Sequence, residues 1–393
     1  MSSPDLPDRT AAGAPEEGRW PLAVDGRGGL RPWLVSLVPL GAAAALATLA
    51  RLSPGVVESA FSRGLYPPAA RALRWASGLW DSLTGASVRP GPSPSLSEAL
   101  IVAGALGLCL AARAAWRAGG VGAAARLGLS CGGGLALAFM ALWGLNYSRL
   151  PLASTLGLEV GGASARELGQ VADALEAQLL VDLAAPGPPL SGPAAVEAAR
   201  AAWQEALGRE PVLGSGACVV ARPALSRGLV LLGISGIFSP FTQEAHVAGH
   251  LQEPDLLFTA CHELAHAQGW AREDEANYLA WRVGRGASSP AVRRSARLLA
   301  YLHVLGALRQ ADPSGLRVRM ESLPPALVEA MAARARFWDR ERSPAASRAA
   351  SAVNDAYLRS QGQAGVASYG RMVDLLVAEW RRAGAAFGVA DPR

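Results

Sequence analysis

Three long uncharged runs constrain this chain more than any other feature. Pro32 to Ala50 lies between Arg31 and Arg51, and Leu127 to Ser148 holds 22 residues without a charge. Between them, Ala99 to Ala112 follows Glu98 and stays apolar past Arg113 to Trp116. A helix rises about 1.5 Å per residue, so about 20 apolar residues cross the hydrocarbon layer of a bilayer. The middle run reaches that length because Arg113 can snorkel. We therefore expect a three-helix membrane anchor over 31–149, with spans about 32–50, 97–116 and 127–148. The chain is only 18% charged, below the quarter usual for soluble domains, and this fits a membrane protein.

Trp33, Trp116, Trp143 and Tyr147 stand at the ends of these runs, where interfacial aromatics collect. The short connection between the second and third runs carries Arg113, Arg117 and Arg126 without an acid, and Arg19, Arg27 and Arg31 precede the first. By the positive-inside rule both segments are cytoplasmic, so everything after Tyr147 is expected outside, although the arginines of 51–97 oppose this orientation. Residues 1–30, polar and rich in Pro and Gly, read as a disordered tail.

The charged residues exclude one broad class. Every basic residue is arginine and the net charge is +5, yet the arginines are scattered, so no nucleic-acid face is expected. Cys109, Cys131, Cys218 and Cys261 form no CxxC pair, and neither a zinc ribbon nor a disulfide framework is indicated.

Residues 150–393 read as one further domain. Helical periodicity runs near 163–181, 193–208, 254–268, 271–285, 290–310, 324–342 and 368–384. Strand character is confined to Ala217–Arg222 and Arg227–Phe241. The fold class is mainly α: three transmembrane helices followed by an α+β domain with a small sheet and many helices.

The chemistry concentrates in Phe258-Thr-Ala-Cys-His262-Glu263-Leu-Ala-His266. Residues four apart share a helix face, so both imidazoles of H-E-x-x-H reach one ion, zinc (Zn2+), while Glu263 can act as general base toward a water. Pro254 suits the first turn and Gly269 the position after the last. A zinc site of this kind needs a third protein ligand. Glu273, opening the next helix, is the favoured one, ahead of Glu275 and Asp274; Asn277, one turn on, is expected to support a ligand. Ala276 and Ala280 would let the two helices approach. His303 and Tyr369 are candidate donors to a developing oxyanion, with Tyr357 as a further phenol. His246 and His250, four apart but without an intervening Glu, read as a solvated loop. Gly233 and Gly236 would allow a substrate backbone to approach the strand before the motif.

H-E-x-x-H followed by E-x-x-A-N at Glu273–Asn277 resembles the glutamate-ligand branch of the zincin metallopeptidases. That resemblance implies His262, His266 and Glu273 as zinc ligands and a zincin-like domain hydrolysing peptide bonds. The metzincin layout would put a third histidine where Arg272 stands, so it does not fit. The chain as a whole, roughly 30–385, is similar to the bacterial membrane family called domain of unknown function 3810. Leu145–Pro151, Gly236–Glu244, the H-E-L-A-H…R-E-D-E-A-N block and Gly365–Gly370 carry that likeness. Together these imply a multi-pass protein of the bacterial inner membrane, with the lipid bilayer and a peptide or protein substrate as partners. The alternatives are a non-catalytic membrane protein stabilised by zinc and a zinc hydrolase of a non-peptide envelope substrate.

Overall fold

The first apolar run forms α1 (Leu30–Leu52), after which the chain turns through α2 (Pro54–Val56) into a π-helical stretch, Val57–Leu65, and α3 (Tyr66–Thr84). The structure, a computed structural model, describes residues 29–84, 94–210, 212–213, 219–221, 226–363 and 371–388. Nearly all of the expected tail, Cys218, Tyr369 and the Gly365–Gly370 segment lie outside the described residues.

The second and third apolar runs form two helical halves of one 47-residue element, α4 (Leu96–Leu142), broken at Gly119 and Gly120. Among the described residues two helices, α1 and α4, are long and apolar enough to cross a membrane. The short polar connection vanishes because Gly119 and Gly120 absorb the turn: both are non-helical, and Gly120 has φ 62°. A straight helix of this length would be about 70 Å long. Yet Leu96 and Ser97, at its start, donate to Glu244, while Trp143, just past its end, packs on Phe238 with ring centroids 5.4 Å apart. Phe238 and Glu244 lie on adjacent strands, so α4 folds back on itself at the two glycines. Its second half runs alongside α1 in the same direction, Trp33 meeting Gly122 and Arg126, and Leu40 meeting Gly133. A side chain on Gly133 would come within 2.8 Å of the Leu40 nitrogen, so glycine is what lets these two rods touch.

After a 3-10 turn at Gly144–Ser148 come α5 (Leu152–Leu156), α6 (Ala165–Ala184) and α7 (Gly192–Leu207). Ser164 caps α6 in a reciprocal box with Glu167, as the S-x-x-E spacing requires. A small sheet follows, made of β1 (Val219–Ala221), β2 (Gly236–Ser239) and β3 (Glu244–Val247) in the order β1-β3-β2, with β1 parallel and β2 antiparallel to β3. The expected strand at Arg227–Phe241 is therefore only half strand, because its start forms α8 (Ser226–Leu231). The run is apolar on every side, and apolar character alone does not separate helix from strand.

The described elements from Glu253 onward are helices: α9 (Glu253–Ala267), α10 (Glu273–Arg285), α11 (Pro290–Ala311), α12 (Pro313–Glu321), α13 (Pro325–Glu341), α14 (Pro344–Ser360) and α15 (Met372–Ala383). Proline stands in the first turn of α9, α11, α12, α13 and α14, where its missing N–H costs nothing. The central element is α9. It is packed by α7, α10, α11 and the sheet, and every residue from Asp255 to Ala267 is buried.

The expected boundary at residue 150 does not coincide with a break in packing. Phe61, Tyr66, Ala70, Trp143 and Tyr147 share one core with α6, α7, α9, α10 and α11. Trp143 and Tyr147, expected as interfacial aromatics, are buried instead, Tyr147 with its hydroxyl on that of Tyr357 and Trp143 against the end of α9. The last carbonyls of a helix lack intrahelical partners. At the end of α9, Trp143 Nε1 donates to the His266 carbonyl at 3.1 Å and Tyr66 Oη to the Ala267 carbonyl at 2.9 Å. The chain flanking the apolar rods thus caps the helix that carries the motif.

Candidate metal centre

Gly269 takes φ +83°, a conformation that favours glycine, and ends α9 by turning the chain back, so that Gly269 N donates to the His266 carbonyl and Trp270 N to the Ala265 carbonyl. This turn brings the Trp270 carbonyl to 2.7 Å from His266 Nδ1. Nδ1 must donate that bond, so in the neutral ring Nε2 carries a lone pair. The turn also delivers the chain to Arg272, whose extended backbone (φ −81°, ψ 136°) starts α10 with Glu273 as its first residue.

Three donor atoms converge as a result. His262 Nε2 lies 3.1 Å from His266 Nε2 and 3.2 Å from Glu273 Oε2, and His266 Nε2 is 3.6 Å from the same oxygen. Donors held about 2.0–2.2 Å from a tetrahedral zinc stand roughly 3.3–3.6 Å from one another, so this triangle has the size such an ion requires. Among the described residues no fourth His, Cys, Asp or Glu joins the group. Two imidazoles and one carboxylate are a donor set that can hold a zinc ion.

Charge reinforces the convergence when only protons are present. Burial opposes a charged imidazole, but the Glu273 carboxylate outweighs it and pushes His266 up to about 9. Burial likewise opposes the Glu273 charge, yet the two imidazoles hold it well below the usual carboxylate range. The Glu263 carboxyl is raised, chiefly by burial and further by Glu273, with the two imidazoles opposing.

Glu263 projects toward the sheet. A Cβ on Gly236 would fall 2.6 Å from Glu263 Oε1, 2.5 Å from Thr259 Cγ2 and 2.8 Å from the His246 carbonyl. The first residue of edge strand β2 therefore lies directly against this carboxylate, and Glu263 Oε2 is buried without a partner among the described residues. We predict that Gly236→Ala destabilises the protein by about 1–3 kcal/mol through overpacking. Chemical denaturation checks this, and unchanged stability would show that β2 moves away from Glu263 at no cost.

Not every expected residue joins the centre. Glu275 faces the other way: its Oε1 accepts from Leu152 N at 2.8 Å and from Arg272 Nη1 at 2.9 Å. Asp274 lines a separate cavity with Arg51, Arg272 and Arg371, and burial raises it to about 6. Asn277 is buried, but its Nδ2 has no partner among the described residues, so the ligand support expected from it comes instead from the Trp270 carbonyl. Ala276 and Ala280 are fully packed where α10 meets α9.

His303 is near enough for the charge of His262 to act on it; burial first, then Arg334 and His262, bring it down to about 4, leaving a neutral ring. The Tyr357 hydroxyl lies 3.0 Å from that of Tyr147. Burial, aided by Glu273, raises it to about 12, against the Tyr147 hydrogen bond. His246 is not in a solvated loop. It is buried in β3, with Nδ1 3.1 Å from the Ile237 carbonyl and Nε2 3.1 Å from Ser95 Oγ. His250 lies in the turn beyond β3, against the Phe337 ring.

Two contributors have only faint signals in the sequence. Trp143 and Phe238 both pack against the His266 ring, with centroids 5.9 and 6.4 Å away. Trp143 ends an apolar run and so reads first as an interfacial residue, while Phe238 is one apolar residue in a run of many.

No curated protein and no solved structure matches the chain. A family model does match, over residues 92–377, which leaves the first apolar helix outside the matched region. That stretch covers both halves of α4, the sheet, the His262–Glu273 cluster and most of the helices behind it, and so the chain belongs to the family described as "Protein of unknown function (DUF3810)".

Proposed function

We propose that this protein is a membrane-anchored zinc metallopeptidase. The carrying observation is the convergence of His262 Nε2, His266 Nε2 and Glu273 Oε2 into a triangle of 3.1, 3.2 and 3.6 Å. Zinc held there would polarise a substrate carbonyl and acidify a water. The chain's own residues do the rest. Trp270 fixes the His266 ring, and Glu263 accepts a proton from the attacking water and returns it to the leaving amine. His303, within reach of the charge of His262, and Tyr357, within reach of that of Glu273, are candidate donors to the developing oxyanion. Peptide is favoured over a non-peptide substrate because β2 is an edge strand beginning at Gly236, against Glu263, where an extended chain can add to the sheet.

Purified protein is expected to contain about one zinc per chain and to hydrolyse unstructured peptides in a chelator-sensitive, zinc-restorable manner. Zinc-free protein that takes up none on addition would overturn the proposal.

The reading as membrane-anchored rests on exposed apolar surface. None of the apolar window of α4 is buried and only 17% of that of α1, far more than a soluble surface tolerates. Each half of α4, 96–118 and 121–142, is long enough to cross, and the parallel course of α1 and the second half needs a return pass between them. The hairpin tip bears Arg113, Arg117 and Arg126, opposite to the catalytic end, and this supports a cytoplasmic tip with the metal centre outside. A reporter fused in the 114–125 segment should score as cytoplasmic, and one fused after Tyr147 as external; the reverse result would invert the orientation.

A further inference from the structure

Beneath the Gly269 turn lies a cavity of about 470 Å³ whose lining, among the described residues, contains four arginines and no acid. Two of them, Arg63 and Arg149, are already paired with Glu58. The other two, Arg71 and Arg74 of α3, form no hydrogen bond or ion pair with any described residue. Arg74 is only 9% exposed. No nitrogen of Arg74 is fully buried without a partner, so its guanidinium opens into the cavity, where a partner of opposite charge would make charge-assisted bonds. The neighbouring sequence cannot supply it, since 211–225 contains no Asp or Glu. The cavity therefore suits an anion.

The position of α3 indicates which anion. This helix crosses the catalytic end of the apolar rods, from Tyr66, bonded to the end of α9, to Trp80, whose Nε1 donates to the Pro94 carbonyl just before α4. Along its outer face, one turn apart from Arg71 onward, stand Trp75, Leu79 and Leu83, which are 73%, 46% and 76% exposed. A basic cavity continuous with an exposed apolar stripe, on a helix lying across the mouth of membrane-crossing rods, has the pattern of an interfacial element. We propose that the cavity binds the phosphate of an anionic phospholipid headgroup, with its acyl chains lying along Trp75, Leu79 and Leu83. Arg74 and Arg71 make the charge-assisted bonds, and Arg63 and Arg149 add to the field. A zwitterionic headgroup is disfavoured because its ammonium meets the same arginines. This inference rests on the membrane reading of α1 and α4 and is independent of the zinc proposal.

The test uses the full chain, delipidated in neutral detergent and titrated separately with phosphatidylglycerol, phosphatidylcholine and inorganic phosphate, with retained lipid read by native mass spectrometry. We expect one retained phosphatidylglycerol, preferred over phosphatidylcholine by about tenfold or more. Arg74→Gln should abolish that preference, and Arg74→Lys should restore part of it at an unchanged unfolding midpoint. Should Arg74→Gln fail to fold, Arg71→Gln, at an exposed position, carries the test with a partial loss. Equal retention of the two lipids, or a preference unaltered by these substitutions, overturns the proposal. Complete displacement of the lipid by millimolar inorganic phosphate overturns the lipid assignment in favour of a free-anion site. A chain that stays monodisperse without detergent overturns the membrane reading, and this proposal with it.

Discussion

Glu263→Gln is expected to leave about one zinc per chain while lowering peptide hydrolysis about 10²–10⁴-fold, and Glu273→Ala to lose both. The two glutamates belong to one buried cluster but differ in geometry. Glu273 Oε2 forms the triangle with the two Nε2 atoms, so removing it leaves two histidines, too few for a zinc site of this class. Glu263 stands to one side, with Oε1 against Gly236 and Oε2 unpaired among the described residues. Glutamine has the same size and fits the same space, but it cannot take up a proton. Zinc content measured beside turnover therefore separates ligand from base. If Glu263→Gln loses the metal as readily as Glu273→Ala does, the assigned roles are wrong. If wild type and Glu263→Gln hold zinc and neither hydrolyses peptide, the non-catalytic alternative prevails.

Glu244→Ala should destabilise the protein by about 3–5 kcal/mol, as expected when one partner of a buried, charged network is removed. Glu244 is fully buried. Its carboxylate accepts from Leu96 N at 3.0 Å, from Ser97 N at 2.8 Å, from Ser97 Oγ at 2.7 Å and from Thr242 Oγ1 at 2.8 Å. It thereby ties β3 to the first turn of α4, where a negative charge also meets the positive end of the helix dipole. Burial works against this charge, but the His246 imidazole, 3.6 Å away, and the hydrogen bonds from Ser97 outweigh it and hold Glu244 at about 2, below the ordinary value of 4.5. The depressed folded value means that this contribution is complete above about 4.5 and is lost as pH falls toward 2. Asp81 feels the same charge and is raised, first by burial and then by Glu244. Denaturant unfolding in detergent should show the loss at neutral pH, and Glu244→Gln should flatten the stability profile between pH 4.5 and 2. A loss below 1 kcal/mol for the alanine variant would mean that solvent or a shifted backbone replaces the carboxylate.

Local pattern carries far in this chain. The seven helices expected after residue 150 form as α6, α7, α9, α10, α11, α13 and α15, with ends within a few residues of those expected. Periodicity, N-terminal proline and capping pairs are all local signals, and the physics they report is local too. The paired histidines are legible for the same reason, since i,i+4 spacing on a helix is geometry that needs no partner. The choice of Glu273 over Glu275 for the centre is almost as local. The two are about 200° apart around one helix, so only one can face α9.

What escaped the sequence depends on contacts between distant segments. Arg227–Phe241 reads as strand throughout, but only packing against β3 selects Gly236–Ser239 and leaves Ser226–Leu231 helical. Trp143 and Tyr147 look like residues of a membrane interface. They are buried because the Trp143 indole reaches a carbonyl at the end of α9 and the Tyr147 hydroxyl meets that of Tyr357, which is visible only when residues more than a hundred positions apart are brought together. His246 looks solvated until Ser95 and the Ile237 carbonyl close around it. The sequence by itself determined the apolar rods, the helix inventory and the candidate ligands, because each follows from spacing along one segment. Tertiary structure alone decided the capping of α9 from the anchor side and the arginine-lined cavity, because buried polar groups must find partners and folding selects which distant ones they meet.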